Sequence, residues 1–137
     1  MAALSAERTL DRRGAEPSRN AFSYPVAAGV KIYRGAMVAI NSSGALIIPP
    51  TSGGIAVLGI ADRTVDNSAS GTVSTTLITP MKGTYGLVVG SATAANIGAN
   101  VYASNDNDLT LTAGTLTLAG VLVGIEGGRT FVSIVNS

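Results

Sequence analysis

The sequence predicts an all-β fold: a single-domain β-sandwich or barrel with an extended N-terminal arm. Three observations carry this. Short runs of Val, Ile, Leu and Thr recur along the chain, separated by Gly, Asn, Asp, Ser and Pro, the residues of tight turns. Roughly ten such runs follow one another at the close spacing of a sandwich or barrel. The first twenty residues stand apart. They are polar, are broken by Gly14 and Pro17, and hold Arg8, Arg12, Arg13 and Arg19 out of nine basic residues. The division expected is therefore an arm over 1–20 and a β body over 21–137.

Within the arm, Ala2 to Asp11 has the make-up of a short helix, but an isolated helix of that length is marginal in water. The segment reads as one that orders only on a partner. The body opens with an extended piece from Phe22 to Val26, where Pro25 marks an edge or strand end. Val30 and Ile32, then Met37, Val38 and Ile40, predict two short strands split at Arg34-Gly35. Asn41-Ser42-Ser43-Gly44 is a hairpin-type turn, with a return strand over Ala45 to Ile48 that Pro49-Pro50 stops. Ile55 to Ala61 is a near-continuous apolar run, as in a strand buried on both faces. Gly59 inside it predicts a bulge or a close backbone approach.

After a polar loop at Asp66 to Gly71, the β-branched stretch Thr72 to Thr79 reads as a strand, followed by Gly83 to Val89. Residues 90–99 read as a loop or one helical turn. Val101-Tyr102 is a short strand, and Asn105-Asp106-Asn107-Asp108 a strong turn. Leu109 to Thr112, then Leu116 and Leu118, alternate with period two, as half-buried strands do. Val121 to Ile125 and Thr130 to Val135 close the chain as two strands around Glu126-Gly127-Gly128.

A weak internal repeat runs through these elements. Gly35-Ala36-Met37-Val38-Ala39, a turn, a return strand and Val57-Leu58-Gly59-Ile60 form one series. Gly98-Ala99-Asn100-Val101-Tyr102, a turn, a return strand and Leu122-Val123-Gly124-Ile125 form another. Each is followed by a β-branched stretch, Thr72–Thr79 and Thr130–Val135. Two related halves would pack face to face around one core.

Composition narrows the function classes. The chain holds neither Cys nor His. That removes disulfides, thiol catalysis, thiolate metal sites, the usual general base and the commonest metal ligand. No G-x-S-x-G elbow and no phosphate-binding glycine loop occurs. Lys31 and Lys82 show no spacing that would pair them with a nucleophilic Ser. Asp62, Asp66, Asp106, Asp108 and Glu126 all fall in or beside expected turns, where Asp is favoured by local backbone bonds, so paired-carboxylate chemistry is not assigned. The Asn105–Asp108 turn offers oxygen ligands but lacks the twelve-residue loop with its terminal Glu. The chain therefore reads as a non-enzyme with no catalytic residue, cofactor, metal site or small-molecule substrate.

Charged residues make up 12% of the chain, about half the usual share. A surface so short of charge suits contact with other protein. The net charge of +1 gives no general drive toward nucleic acid or anionic membrane. No apolar run nears the ~20 residues of a membrane helix, and residues 1–20 lack the apolar stretch of a secretory signal. The basic arm is the most specific feature. Glu7, Asp11 and Glu16 dilute it, against a nucleic-acid role, whereas Arg anchors protein interfaces through forked pairing with carboxylates. Arg8, Arg12, Arg13 and Arg19, with Phe22 and Tyr24 where the body begins, are the candidate partner-interface residues.

The stretch Phe22-Ser-Tyr-Pro-Val-Ala-Ala-Gly-Val-Lys-Ile-Tyr-Arg-Gly-Ala-Met-Val-Ala-Ile-Asn41 resembles the opening of the capsid cement, or decoration, proteins of tailed bacteriophages. Val57-Leu-Gly-Ile-Ala61, Gly98-Ala-Asn-Val-Tyr102 before a polar turn, and Val121-Leu-Val-Gly-Ile125 are similar to later parts of that family, in the same order. The resemblance implies a jelly-roll-like sandwich or an open β-tulip barrel. It implies a homodimer or homotrimer that binds the outside of an assembled head, at junctions of the major capsid protein, after assembly in the host cytoplasm. It carries no catalytic residue and does not reach the arm. A β-sandwich carbohydrate-binding module and a tail-tube or fibre subunit are the rival readings. The first would use aromatic platforms, and this chain offers only Phe22, Tyr24, Tyr33, Tyr85, Tyr102 and Phe131.

Overall fold

The computed structural model describes residues 3–8, 12–13, 22–49 and 54–134. Among them the fold is all-β, with a sheet curled into half a barrel. The strands are β1 (Arg12–Arg13), β2 (Tyr24–Pro25), β3 (Lys31–Ile32), β4 (Met37–Asn41), β5 (Leu46–Ile47), β6 (Gly54–Ile60) and β7 (Val65–Asp66). There follow β8 (Leu77–Ile78), β9 (Gly83–Gly86), β10 (Val88–Val89), β11 (Asn100–Ala103), β12 (Asp108–Thr110), β13 (Thr117–Glu126) and β14 (Arg129–Ile134), with one 3₁₀ turn at Ala94–Asn96. The large sheet runs β1-β9-β14-β13-β11-β12-β10. A three-stranded sheet runs β5-β4-β6, and β2-β8 and β3-β7 are two-stranded.

The two halves repeat one backbone plan. In the first, β4 is flanked by β5 and β6; in the second, β11 is flanked by β12 and β13. The registers coincide. Ala39 faces Ile47 and Ile40 faces Leu46, as Tyr102 faces Thr110 and Ala103 faces Leu109. Val38 faces Gly59 and Ala39 faces Val57 across a bulge, as Val101 faces Gly120 and Tyr102 faces Leu118. Backbone bonds outside these ladders match too. Gly35 N–H donates to Ala61 O at 3.0 Å and Gly98 N–H to Leu122 O at 2.7 Å. Ala27 N–H donates to Leu46 O at 2.9 Å and Gly90 N–H to Leu109 O at 3.0 Å. Gly35 and Gly98 share one left-handed conformation, with φ of 92° and 93°.

This corrects the expected alignment of the repeat. The counterpart of Val57–Ile60 is Leu118–Val121, not Leu122–Ile125. The reason is steric. At Gly59 a Cβ would lie 2.6 Å from Met81 O, and at Gly120 it would strike Ser133 O, with the Ser133 carbonyl carbon at 2.9 Å. At Gly124 a Cβ would meet nothing within 4 Å. Neighbouring backbone presses on Gly59 and Gly120 alone of the three, next to the isolated antiparallel bridge Ile60–Met81 and the ladder pair Val121–Ser133.

The interior also differs from the single core expected. Two clusters form. One gathers Val26, Ile32, Ala36, Val38, Leu46, Leu58, Ala61, Val65 and Ile78 of the first half. The other is built on Val89, Val101, Leu109, Ala119, Leu122, Val132 and Ile134 of the second, and takes in Met37, Val57 and Ile60 from the first. Successive side chains of β4 and β6 thus feed opposite clusters, as the period-two alternation of a strand requires. That two-sided burial is why Val57 to Ala61 is almost uninterruptedly apolar. It does not extend to the strand's start, where Ile55 is 64% exposed.

Two further expectations fail locally. Thr72–Thr79 is strand only at Leu77–Ile78. Hydroxyls in it and just before it bond nearby backbone instead: Ser70 Oγ accepts from Thr72 N–H at 3.1 Å, and Ser74 Oγ donates to Thr76 O at 2.6 Å. Such bonds compete with a ladder. Leu116 lies outside β13, in a turn closed by its N–H donating to Ala113 O at 2.8 Å.

Gly120→Ala is expected to destabilise the chain by about 1–3 kcal/mol or more, because backbone rather than a movable side chain fills the site. Gly124→Ala is expected to stay within about 0.5 kcal/mol of the parent. Urea unfolding of the two variants checks both.

Candidate partner interface

The segment Ala3 to Arg8 is not helical; it lies against the body. This differs from the expectation that it orders only on a partner, and the reason is a slot made by both halves. One wall is the Tyr33–Gly35 turn of the first half. Gly35 has φ 92°, and a Cβ there would run into the backbone and side chain of Arg8, so only glycine admits the segment. The other wall is the 104–108 turn. Asn105 Oδ1 accepts from Asn107 N–H and Asp108 N–H, both at 2.8 Å. Ser104 N–H and Oγ each donate to Asp108 O at 3.0 Å. Small polar side chains thus close the turn locally.

Asp106 is the hub of the slot and is 1% exposed. Its carbonyl accepts from Met37 N–H at 2.9 Å, which ties the turn to β4. Its Oδ1 accepts from Leu4 N–H at 2.9 Å. Arg8 donates from Nε to Gly35 O at 2.7 Å, from Nη1 to Asn107 Oδ1, and from Nη2 to Asp106 O at 3.4 Å. Arg8 N–H donates to Arg34 O at 3.0 Å. Beside it, Glu7 accepts from the Thr64 hydroxyl and pairs with Arg34 at 3.6 Å.

The electrostatics follow from burial. Desolvation pushes the Asp106 carboxyl above its ordinary value, against the lowering effects of Leu4 N–H and Arg8. Desolvation lowers the Arg8 pKa, against the raising effects of Asp106 and Asp108. Asp108 is 3% exposed; its Oδ2 accepts from Asn105 Nδ2 at 3.1 Å, and its Oδ1 has no hydrogen-bond partner among the described residues. The guanidinium of Arg8 supplies the positive charge for this turn. Among the described residues no three His, Cys, Asp or Glu side chains are grouped so as to hold a metal ion, and no helix is long and apolar enough to cross a membrane.

Comparison with family models, with curated proteins and with solved structures found no match to this chain. The reading of the site therefore rests on its own geometry.

Of the residues singled out in the sequence, Arg8 is half-buried in the slot. Arg12 and Arg13 pair with Tyr85 and Thr84 at the edge of the large sheet, so this part of the arm adds a strand to the body. Arg19 lies outside the described residues. Phe22 is 62% exposed, and Tyr24 packs against the first-half cluster. Sequence reasoning missed Gly35, Asp106 and Asn107 as the receptor for Arg8. The turn was legible, but nothing linear links residue 8 to residue 106.

Ordering a residue costs about 1–2 kcal/mol, much the same as one of these bonds returns. The segment is thus held with little margin. In Asp106→Ala, residues 3–8 are expected to lose their anchor, seen as faster amide exchange at Leu4 and Arg8 with the β6 and β13 amides unchanged.

Asp106 also predicts a pH dependence. Its raised folded pKa means the folded state holds the proton more tightly than the unfolded chain. Its contribution to stability is then fullest below the ordinary value of 3.8 and declines as pH rises through the raised folded value. In Asp106→Asn that decline is expected to vanish, measured as the urea midpoint against pH over the acid range.

Proposed function

We propose that the chain is a capsid cement protein. It binds the outer surface of an assembled tailed-phage head and clamps neighbouring major capsid subunits against the pressure of packaged DNA, acting as a homodimer or homotrimer. The observation that carries this reading is a body poor in charge that leaves large apolar side chains in water. Phe22, Val73 and Leu77 are exposed around the β2-β8 sheet, and Ile97 and Val123 flank the Gly98–Leu122 backbone bond. Exposed apolar groups on a small protein are natural contact points for another protein.

The N-terminal segment supports the same reading. Residues 3–8 are held by polar contacts, several from the charged group of Arg8, and Arg12–Arg13 form a two-residue strand at a sheet edge. Such a segment can give up its own contacts for those of a neighbour at small net cost. Each clamp adds a modest contact between capsid subunits, and many copies acting on one shell add up to a large effect. Nothing in this role needs a reaction, which accords with a chain lacking imidazole and thiol.

The test is to mix the purified chain with undecorated heads and image the particles. Density at subunit junctions supports the proposal, and absence of binding at saturating protein removes it. Deleting residues 1–20 is expected to leave both core clusters folded and to weaken head binding. Full occupancy by the truncated chain, unchanged under salt and heat, would show that the segment takes no part.

A further inference from the structure

The repeat exposes a difference between the halves that points to a binding site. In the first half the connection from β6 to β8 is long and folds back over the turn after β2. Val26 N–H donates to Ser74 Oγ at 2.8 Å, and Ser74 N–H donates to Val26 O at 2.9 Å. Asn67 is 8% exposed, and its Nδ2 donates to the carbonyls of Val26, Ala27 and Thr72 at 3.2, 3.0 and 2.8 Å. Gly29 N–H donates to Asn67 O at 3.1 Å and Ser70 O at 3.0 Å. The outer side of that turn is therefore covered by a looped stretch of mostly small residues, turned at Ser68-Ala69 where Ser70 N–H donates to Asn67 O at 3.2 Å, and anchored by one buried carboxamide.

In the second half the equivalent turn follows β10. Val89 pairs in parallel with Leu109 as Val26 does with Leu46. Here the connection from β13 to β14 is cut to the hairpin Gly127-Gly128, both left-handed, with φ of 59° and 77°. The Thr130 hydroxyl takes the bond from Val89 N–H, at 3.3 Å, that Ser74 takes in the first half. Among the described residues, nothing stands where Asn67 stands. What remains is a cleft of about 340 Å³ lined by Gly86, Val88, Val89, Ser91, Ala92 and Arg129, among others. Ser91 at its wall is the one described non-glycine residue with positive φ, 61°. A β-carbon residue in that region carries strain, which accumulates where ligands are held. The half-exposed Val88 is the large apolar side chain most open to solvent in the lining.

We infer that this cleft binds a looped segment of a partner protein, made mostly of small residues and carrying one Asn carboxamide, in the way residues 67–74 cover the first half. The occupant is deduced from the molecule's own template. The same backbone frame, in the half where it is covered, is covered by such a segment. The inference does not rest on the capsid role and concerns the other end of the molecule's asymmetry.

The probe is a blocked peptide with the sequence of residues 66–76, titrated into the isotope-labelled full chain. Saturable amide shifts confined to 86–92 and 128–130 are expected. The peptide with Ala in place of its Asn is expected to bind about tenfold more weakly, the worth of one buried hydrogen bond. Val88→Trp, which fills the cleft from an exposed position, is expected to abolish the shifts while leaving the spectrum of the first half intact. Absent or non-saturating shifts would overturn the inference. So would shifts centred elsewhere, or equal binding by the Ala and scrambled peptides. Head binding is scored separately, so loss of one result does not decide the other.

Discussion

At Gly120 the carbonyl of Ser133 fills the space in which a side chain would begin, and at Gly59 the backbone of Met81 does the same. The backbone next door can approach that closely only because these two residues have no Cβ. Much else follows from the approach. It sets the pairs Ile60–Met81 and Val121–Ser133. It fixes the bulges opposite Val38 and Val101. The bulges in turn fix which side chains of β6 and β13 point inward, since a one-residue slip would turn each strand's buried set outward.

With the frame fixed twice, the halves diverge in what they add to it. The first half carries the long polar connection that seals its β2 turn, and it offers Gly35 to the N-terminal segment. The second half carries the Asp106 turn that receives the same segment, and among the described residues no long connection covers its β10 turn. The slot for Arg8 therefore exists only because the halves are packed together, with Met37 N–H held by Asp106 O. The two clusters meet through β4 and β6, whose alternate side chains serve one and then the other. A lesion in either strand disturbs both.

The charge pattern of the chain makes sense in this frame. Few charges are spent on the surface of the body, and several of those described pair with one another. Lys31 pairs with Asp66 at 3.9 Å, Arg34 with Glu7 at 3.6 Å and Arg63 with Asp62 at 3.4 Å. These exposed pairs add little stability. They leave the outer strands to Thr, Ser and small apolar residues, a surface that meets protein more readily than it repels it.

Much of the fold was legible in the residues. The turns at Asn41–Gly44 and Asn105–Asp108, the bulge at Gly59 and the closing hairpin at Gly127-Gly128 each follow from local chemistry that no distant contact overrides. The first strand of each repeat was legible too, because Gly35-Ala36 and Gly98-Ala99 carry the same left-handed turn into the same strand. The third strand of the second repeat was not. Gly120 and Gly124 sit in similar company, and only the nearness of Ser133 tells them apart. Thr72–Thr79 reads as a strand by β-propensity, yet its hydroxyls and the Asn67 carboxamide satisfy the backbone another way. The seat of Arg8 was illegible for the same reason, since its partners lie far away in sequence. The amino-acid order by itself determined where the chain turns and which runs become strands, because those depend on each residue's own backbone preferences. Only the tertiary structure decided which strands are neighbours, that there are two clusters rather than one, and that a long connection folds over one half where a two-glycine hairpin serves the other. Those depend on which backbones come close enough to exclude a single carbon atom.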